Sequence, residues 1–488
     1  MPARPRLSLL IKIMIVLFWG IVVFLFIQRI HLIPELTDFE SDFIPDSETW
    51  LSVFFKGQKV GHSVQSLTRD GDGYIVDQKT YLRLKLMGQV QELRTVTTAR
   101  LNPVMGLKSF QFFMSAGPIR FQLLGEMSGQ TLDLTMMTGG HKSQSRLALA
   151  EEPRLAAGLL PYLTRQGLKK GQRFKVPILD PATLSTRPAR IVVEDTEKLR
   201  IEGETIDTFR LRLDYFDAQS YTWVDFDGKT VKEQGLLGLS LVRTSAEKAR
   251  EGLTGRAELT DVVTATSAPT NLVLPEPREV RHLKARLTGL DLEGLELAGG
   301  RQILRGDVVE IRREKIDVRD EASLPIQDPA FKPYLEPENF IQSRHPKIIA
   351  QARRMAGGMR SPLEVIDRIV GWVFENIEKR PTMSVPSALD VLDTRIGDCN
   401  EHAVLAAALL RAGGVPARVV VGVLYFEDRF FYHAWLEAYW GHWMALDPLL
   451  GQIPADATHI RFLTGGLARQ ADMVRVIGRL AVEILEYD

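Results

Sequence analysis

Apolar and polar residues alternate along most of the first half of the chain. The stretch TWLSVFFKGQKVGHSVQSLTRDGDGYIVDQKTYLRLKL, residues 49–86, has the period of two that is typical of strands with one buried face. Strand patterns return over 174–264, and EEPRLAAGLLPYLTRQGL, residues 151–168, predicts a helix between the two halves. The pattern therefore predicts an antiparallel β-rich domain over residues 47–265. A plain scaffold and a carrier of an apolar ligand are both compatible with it.

Proline-rich and acidic stretches divide the second half of the chain. TSAPTNLVLPEPREV, residues 266–280, predicts a linker. Residues 281–345 begin with short strand patterns and end in an extended connector, and they could form a small module or the outer strands of the last domain. Helical periodicity begins after Pro346, so residues 346–488 are the last predicted domain.

The N-terminus carries one long apolar run, residues 7–27. At 1.5 Å per residue it would span about 30 Å, the thickness of a bilayer core. Arg4 and Arg6 precede it and acidic residues follow, which predicts a cytoplasmic N-terminus and an extracytoplasmic, periplasmic remainder. No small-x-small cleavage site follows the run, so we expect a retained single-pass membrane anchor within residues 1–30. A cleaved signal peptide is the alternative.

Composition narrows the possible partners and cofactors. Lys+Arg and Asp+Glu number 61 each, so the formal net charge is zero and argues against nucleic-acid binding through bulk charge. The chain has one cysteine, which excludes an intramolecular disulfide and any multi-cysteine metal motif. We expect neither a metal nor a cofactor. A lone cysteine also fits an oxidising compartment, since it cannot mispair within the chain.

That cysteine, Cys399, opens the apolar run NEHAVLAAALLRA at 400–412. An all-apolar helix of this length is a buried one, and the paired glycines after it predict its end. The unpaired N–H groups at the front of a helix favour a thiolate, the reactive form of cysteine. Gly397 would let the chain turn sharply into this helix. The alternative is a buried, inert cysteine.

A thiolate nucleophile needs a base, and the base needs an orienting group. The segment RFFYHAWLEAYWGHWMALDP, residues 429–448, predicts two strands with His433 and Trp435 on one face. A two-residue turn would place His433 and Asp447 on opposite faces, whereas a three-residue turn at 440–442 places them together. We therefore predict an odd loop, with Asp447 as the orienter of His433.

In this order, the motifs GDCNEHA, RAGGVPARVVVG, YHAW and LDP resemble the transglutaminase-like superfamily, a branch of the papain-like cysteine fold. The resemblance covers residues 361–462, and GQIPADATHIRF at its end is similar to the tail of a bacterial subgroup. It implies an α+β domain in which the cysteine helix packs on an antiparallel sheet. It further implies Cys399 as nucleophile, His433 as general base and acid, and Asp447 as orienter.

The family reaction is attack on a carboxamide carbonyl, with release of an amine and formation of a thioester. Water or a second amine then resolves the thioester, so the resemblance implies a cysteine protease or amidase (a hydrolase) or an acyltransferase. A protein or a cell-wall peptide is the expected substrate. The second oxyanion donor stays open among Trp372, Asn376 and Lys379. A non-catalytic binding module is the alternative function, and an acyl carrier or acetyltransferase is disfavoured by the predicted extracytoplasmic location.

Overall fold

The computed structural model describes residues 44–488, except 118, 139, 182–183, 216–217, 254–258, 384 and 386. The predicted membrane anchor at residues 7–27 lies outside the described residues. Within the part of the chain that is described, no helix is long and apolar enough to cross a membrane.

The N-terminal region is one large antiparallel sheet, as the alternating pattern predicted. Its fourteen strands are β1 Ser47–Phe55, β2 Gln58–Asp70, β3 Gly73–Leu86, β4 Gln89–Leu101, β5 Leu107–Ala116, β6 Ile119–Ser128, β7 Thr131–Thr138, β8 His141–Ala148, β9 Arg173–Asp180, β10 Ser185–Ile201, β11 Glu204–Tyr215, β12 Ala218–Asp225, β13 Thr230–Gln234 and β14 Leu239–Thr244. Their order across the sheet is β8-β7-β6-β5-β4-β3-β2-β1-β14-β13-β12-β11-β10-β9. Sequential strands pair through tight turns, and β1 pairs with β14 to join the two halves.

The helix predicted between the two halves is present as α1, Ala156–Arg165. Its Leu159 and Leu163 share a buried core with Val76 and Leu123 from one half of the sheet and with Val193 from the other. Since strands from both halves contact the same helix, the sheet curves around α1. The curved sheet thereby buries the apolar face of α1 away from water.

The second half of the chain contains most of the helices. Two short helices come first, α2 Ala246–Arg250 and α3 Val262–Thr266. The helices of the C-terminal region are α4 Pro346–Ala356, α5 Pro362–Asn376, α6 Ala388–Thr394, α7 Cys399–Ala412 and α8 Leu467–Gln470. Short 3₁₀ turns lie at Leu236–Gly238, Val318–Asp320, Pro329–Tyr334 and Ala471–Arg475. The remaining strands are β15 Ala268–Pro269, β16 His282–Thr288, β17 Gln302–Arg305, β18 Val308–Arg312, β19 Glu378–Lys379, β20 Ile396–Gly397, β21 Ala417–Phe426, β22 Arg429–Tyr439, β23 Trp443–Leu446, β24 His459–Thr464 and β25 Ala481–Tyr487.

Helix α7 lies at the centre of the C-terminal region, as its apolar sequence predicted. Its side chains from Glu401 to Arg411 are buried, and it packs on α4, α5, α6 and the sheet formed by β15-β22-β21-β24 with β23 at the edge of β22. A helix that is apolar on all sides needs partners on all sides, and these elements supply them.

The strands of residues 281–345 belong to the same core as α7. Strand β16 pairs with β18 and with β25, the last strand of the chain. Leu283 and Ile311 are fully buried in a core that also contains Leu405 of α7. The outer-strand interpretation of this segment therefore fits the structure better than a separate module.

The β-rich region contacts the C-terminal region close to the cysteine helix. Val385 and Phe340 are buried in the core that surrounds α1, and Arg187 forms an ion pair of 2.5 Å with Asp472. Gln91 Nε2 also donates to the carbonyl of Pro381 at 3.4 Å. The segment that leads into α6 is thus held between the two regions.

Candidate active site

The start of α7 is fixed by a capping box, which determines where Cys399 lies. Asp398 Oδ1 accepts a hydrogen bond from the Asn400 N–H at 3.1 Å, and Glu401 Oε2 accepts one from the Asp398 N–H at 3.0 Å. The sequence D-C-N-E has the spacing of such a box, because the cap and the third helical residue satisfy each other's backbone N–H groups. Cys399 consequently occupies the first helical position.

Gly397 is required by close packing against the first turn of α7. A Cβ atom built on Gly397 would lie 2.2 Å from Cβ of Glu401. Strand β20, which contains Gly397, pairs with β19 and passes directly against the first turn of α7. Any side chain here would push the strand away from the capping box.

The surroundings of Cys399 oppose the thiolate that its helix position predicted. Cys399 is partly exposed, yet burial of its sulfur and the nearby Asp398 carboxylate raise the pKa of the thiol well above its usual range. The backbone N–H of Ala434 acts in the opposite direction, since it lies within hydrogen-bonding reach of the sulfur. The helix N-terminus alone therefore does not ionise this thiol. Its contribution is to place the thiol against strand β22.

The hairpin of β22 and β23 has the odd loop that was predicted. Tyr439 pairs with Trp443, which leaves the three residues 440–442 in the loop and places Leu436 opposite Leu446. Gly441 adopts a φ of +145°, and a Cβ atom there would lie 1.9 Å from the carbonyl oxygen of Asp320. Only glycine fits this position. The register confirms the three-residue turn and places Asp447 on the face of His433.

His433 and Asp447 form a buried hydrogen bond. Nε2 of His433 lies 2.8 Å from Oδ2 of Asp447, and the two residues are 5% and 0% exposed. The Trp435 ring stacks on the imidazole with a centroid distance of 6.0 Å and an interplanar angle of 19°. Since Ala434 is the neighbour of His433 and its N–H faces Cys399, the structure brings the three predicted residues into one site.

A second histidine, His459, contacts the same carboxylate oxygen. Its Nε2 lies 3.0 Å from Oδ2 of Asp447, and its Nδ1 lies 3.2 Å from Oδ1 of Asp456. Burial opposes the charged form, but Asp456 and Asp447 outweigh it and raise the pKa of His459. An imidazolium that donates from both nitrogens satisfies this arrangement. Asp456 is paired in turn with Arg278 at 2.9 Å.

Asp447 is ionised and held at both oxygens. Burial would raise its pKa, but His433 and His459 hold the pKa of this carboxyl far below its usual range. Oδ1 accepts the backbone N–H groups of Leu449 and Leu450 at 2.8 and 3.1 Å. Four donors therefore fix the carboxylate, which cannot rotate without losing some of them.

His459 and Asp456 were not predicted as site residues from the sequence. The tail GQIPADATHIRF contains both, but nothing in its local pattern reveals that it returns to Asp447. Paired backbone hydrogen bonds of 3.0 Å between Asp447 and Gln452 turn the chain back at this point. The spacing D-x-x-H in a tail that follows the LDP motif was the available signal.

A metal ion is the other occupant that these groups could accept. One ligand atom from each of His433, Asp447 and His459 lies within 4.8 Å of the others, all in buried positions. Zinc binds the neutral form of histidine, whereas the raised pKa of His459 favours the protonated form. The donor set therefore fits a hydrogen-bonded network better than a metal centre.

The three residues considered as second oxyanion donors are engaged elsewhere. Asn376 Nδ2 donates to the Trp372 carbonyl at 2.9 Å, and Lys379 Nζ donates to the Phe374 carbonyl at 2.7 Å. The Arg395 guanidinium lies over the Trp372 ring, 4.4 Å from its centroid. These contacts tie all three side chains to α5 and its surroundings.

Comparisons with known proteins agree with the resemblance seen in the sequence. Residues 349–448 match the family model described as the transglutaminase-like superfamily. The comparison with curated proteins found no significant match.

Solved structures give only distant similarities. A candidate cysteine protease from Cytophaga hutchinsonii is 20% identical, with 43% of this chain and 87% of that chain covered and a TM-score of 0.29. A candidate protease from Parabacteroides distasonis is 11% identical, with 81% and 70% covered and a TM-score of 0.20. A domain of unknown function from Brucella abortus is 8% identical, with 42% and 98% covered and a TM-score of 0.33. The assignment rests on the family match: the chain contains a transglutaminase-like domain at residues 349–448.

Proposed function

We propose that this chain is a membrane-anchored, extracytoplasmic cysteine enzyme that breaks amide bonds through Cys399, His433 and Asp447. The observation that supports it most is the buried His433–Asp447 hydrogen bond of 2.8 Å, on a strand whose Ala434 N–H faces the Cys399 sulfur. A nucleophile, a base and an anionic orienter in this order are the parts that acyl transfer needs.

The raised pKa of Cys399 determines how the nucleophile would be made. The resting cysteine is a neutral thiol, and the Nε2–H of His433 is donated to Asp447. As the sulfur attacks the carboxamide carbon, the Nδ1 atom of His433 takes the thiol proton and the carbonyl electrons move to oxygen. Asp447 stabilises the imidazolium that forms.

Collapse of the intermediate breaks the C–N bond and leaves a thioester on Cys399. His433 gives its proton to the departing nitrogen, so an amine or ammonia leaves. Water or a second amine then attacks the thioester, with His433 as base, and the products are a carboxylic acid or a new amide and the free thiol. We assign one oxyanion donor, the Cys399 N–H at the first position of α7.

His459 and Asp456 act as positioning residues in this proposal. The His459 imidazolium shares Oδ2 of Asp447 with His433, and it is held between two carboxylates. Because His459 fixes the carboxylate of Asp447, it also fixes the orientation of the His433 imidazole. Mutation of the groups that orient the ligands of metal sites commonly costs about 10- to 100-fold in affinity or activity, and we expect an effect of the same order from these positioning residues.

The N-terminal sequence supports the proposed location, and the family resemblance supports the proposed substrate class. The apolar run at residues 7–27, with Arg4 and Arg6 before it, supports a single-pass anchor with the catalytic domain on the periplasmic side. The substrate class we propose is a protein or a cell-wall peptide. The neutral net charge gives no reason to add nucleic acid to the partners.

The test is product analysis with the full-length chain. It is incubated with a mixture of protein and cell-wall peptides in ¹⁸O-labelled water and with a biotinylated primary amine. Hydrolysis puts ¹⁸O into a new carboxylate, and transamidation attaches the amine. Cys399→Ser and His433→Ala should abolish either product. If both variants form as much product as the wild type, or none forms at all, the chain is the non-catalytic binding module, which the raised pKa of Cys399 would also permit.

A further inference from the structure

The β-rich region contains a chamber that the active site does not use. Its volume is about 220 Å³, and it lies between α1 and the curved wall of the sheet. Its lining is mixed. The aliphatic side chains include Leu159 of α1, Ile178 of β9 and Leu211 of β11, and the polar side chains include Gln78 of β3, Thr222 of β12 and Glu233 of β13. Such a chamber fits a small ligand with one apolar and one polar end.

Strand register directs Glu233 into this chamber. Glu233 pairs with Thr222, which also lines the chamber. The preceding residue, Lys232, points to the other face, where its ammonium lies 4.9 Å from the centroid of the Trp223 ring. Because successive side chains of a strand point to opposite faces, the carboxylate of Glu233 belongs to the inner wall.

Among the described residues, no ion pair or side-chain hydrogen bond reaches the Glu233 carboxylate. The residue is half-buried in the sheet, and burial raises its pKa to about 6 with no contribution from a charged neighbour. Near neutral pH most of these carboxylates are therefore ionised without a partner among the described residues, beside a wall of leucine and isoleucine. Removing a charge from water, even in part, costs free energy unless an opposite charge pairs with it.

We propose that the chamber binds a primary alkylammonium group, with Glu233 holding the ammonium and the aliphatic wall holding a short alkyl chain. A free amine and a lysine side chain of a peptide share this chemistry, and both would place a cation beside a carboxylate to which the described residues supply none. This site is separate from Cys399, so it stands or falls independently of the proposed catalysis.

Calorimetry with the full-length chain in an uncharged detergent tests the proposal. The ligands are n-butylammonium, which has the atoms of a lysine side chain beyond the α-carbon, and the neutral analogue 1-butanol, at pH 7.5. Glu233→Gln should weaken butylammonium binding at least tenfold and leave butanol binding unchanged. The matched control is Glu204→Gln, which removes an exposed carboxylate from β11 of the same sheet and should bind as the wild type does. Unchanged butylammonium binding by Glu233→Gln, or no binding by the wild type, overturns the proposal.

Three further measurements keep the test decisive. Glu233→Asp retains the charge and should retain part of the affinity, so it answers the question even if Glu233→Gln is poorly folded. Affinity of the wild type should fall between pH 7.5 and 5, since protonation of Glu233 removes the charge that holds the ammonium; a pH-independent affinity contradicts this role. A lysine peptide compared with its norleucine analogue then assigns the source: tighter binding of the lysine peptide than of butylammonium points to a peptide ligand, and the reverse order points to a free amine.

Discussion

His459 and His433 bind the same carboxylate oxygen: their Nε2 atoms lie 3.0 and 2.8 Å from Oδ2 of Asp447. His459 also reaches Asp456 and is enclosed completely, whereas the neighbour of His433 faces Cys399. The two imidazoles therefore differ in their surroundings although they share an acceptor. In the proposed mechanism, His433 exchanges protons with Cys399, and His459 is a fixed charge behind the carboxylate of Asp447.

Replacement of the orienter should lower turnover strongly. Asp447→Asn keeps the size of the side chain but removes the charge that stabilises a protonated His433, and its amide favours the wrong imidazole tautomer. We expect kcat to fall on the order of 10³-fold with little change in KM. Steady-state kinetics on the substrate found by product analysis measures this. A kcat within threefold of the wild type would remove Asp447 from the catalytic group.

Replacement of His459 should have a smaller effect on turnover. His459→Gln removes the fixed charge behind Asp447, and we expect kcat to fall about 10- to 100-fold with KM unchanged. The pH profile of kcat should also shift, because the variant removes a titrating group that shares the Asp447 carboxylate with His433. If His459 had a purely structural role, the variant would contain a smaller fraction of active enzyme. The pH profile of that active fraction would then match the wild type. His459→Gln can still donate toward one carboxylate, so His459→Ala, which cannot, should lower kcat further.

His459 should also make the stability of the domain depend on pH. Its folded pKa is raised above the unfolded value of about 6.5. The stabilisation is therefore fully present below that value and is lost as the pH rises through the folded pKa. Urea unfolding of the wild type between pH 6 and 9 should show this decline, and His459→Gln should lack it. The exposed His442 is the control, and His442→Gln should retain the wild-type decline.

A methyl group added at Gly397 should lower the stability of the fold around the first turn of α7, where Cys399 lies. Gly397→Ala would place Cβ 2.2 Å from Cβ of Glu401, and overpacking of this kind costs about 1–3 kcal/mol. The matched control is Gly371 in α5, which has open space at its Cβ position. Gly371→Ala should stabilise the helix by about 0.5–1 kcal/mol. Equal free energies of unfolding for the two variants would show that strand β20 can move away from the capping box at little cost.

Local sequence patterns determined much of the fold because they report on single elements. Alternation identified the strands around residues 49–86, the apolar run identified α7, and the parity of strand positions required the three-residue turn at 440–442. The pairing of distant elements leaves no local trace. The closure of β1 on β14 and the return of β25 to β16 depend on burial that only the folded chain creates.

The candidate site, too, was predicted where local sequence reports on it and missed where the folded chain creates the contact. Order and residue type led to Cys399, His433 and Asp447, and the structure places them together. His459 was missed because its contact with Asp447 depends on the turn of the chain at Gln452. The pKa of Cys399 was predicted in the wrong direction, because the helix N-terminus was visible in the sequence while the burial of the sulfur and its distance to Asp398 were not.

The most direct test of the central claim is the pH dependence of alkylation of Cys399 by iodoacetamide, compared between the wild type and His433→Ala. Since the surroundings raise the pKa of the isolated thiol, only proton transfer to His433 would make the sulfur reactive near neutral pH. We predict that the wild type reacts with an apparent pKa at least one unit below that of His433→Ala, whose profile should lie above the free-thiol value of about 8.5. Superimposable profiles would contradict the pairing of Cys399 with His433 and, with it, the proposed enzyme.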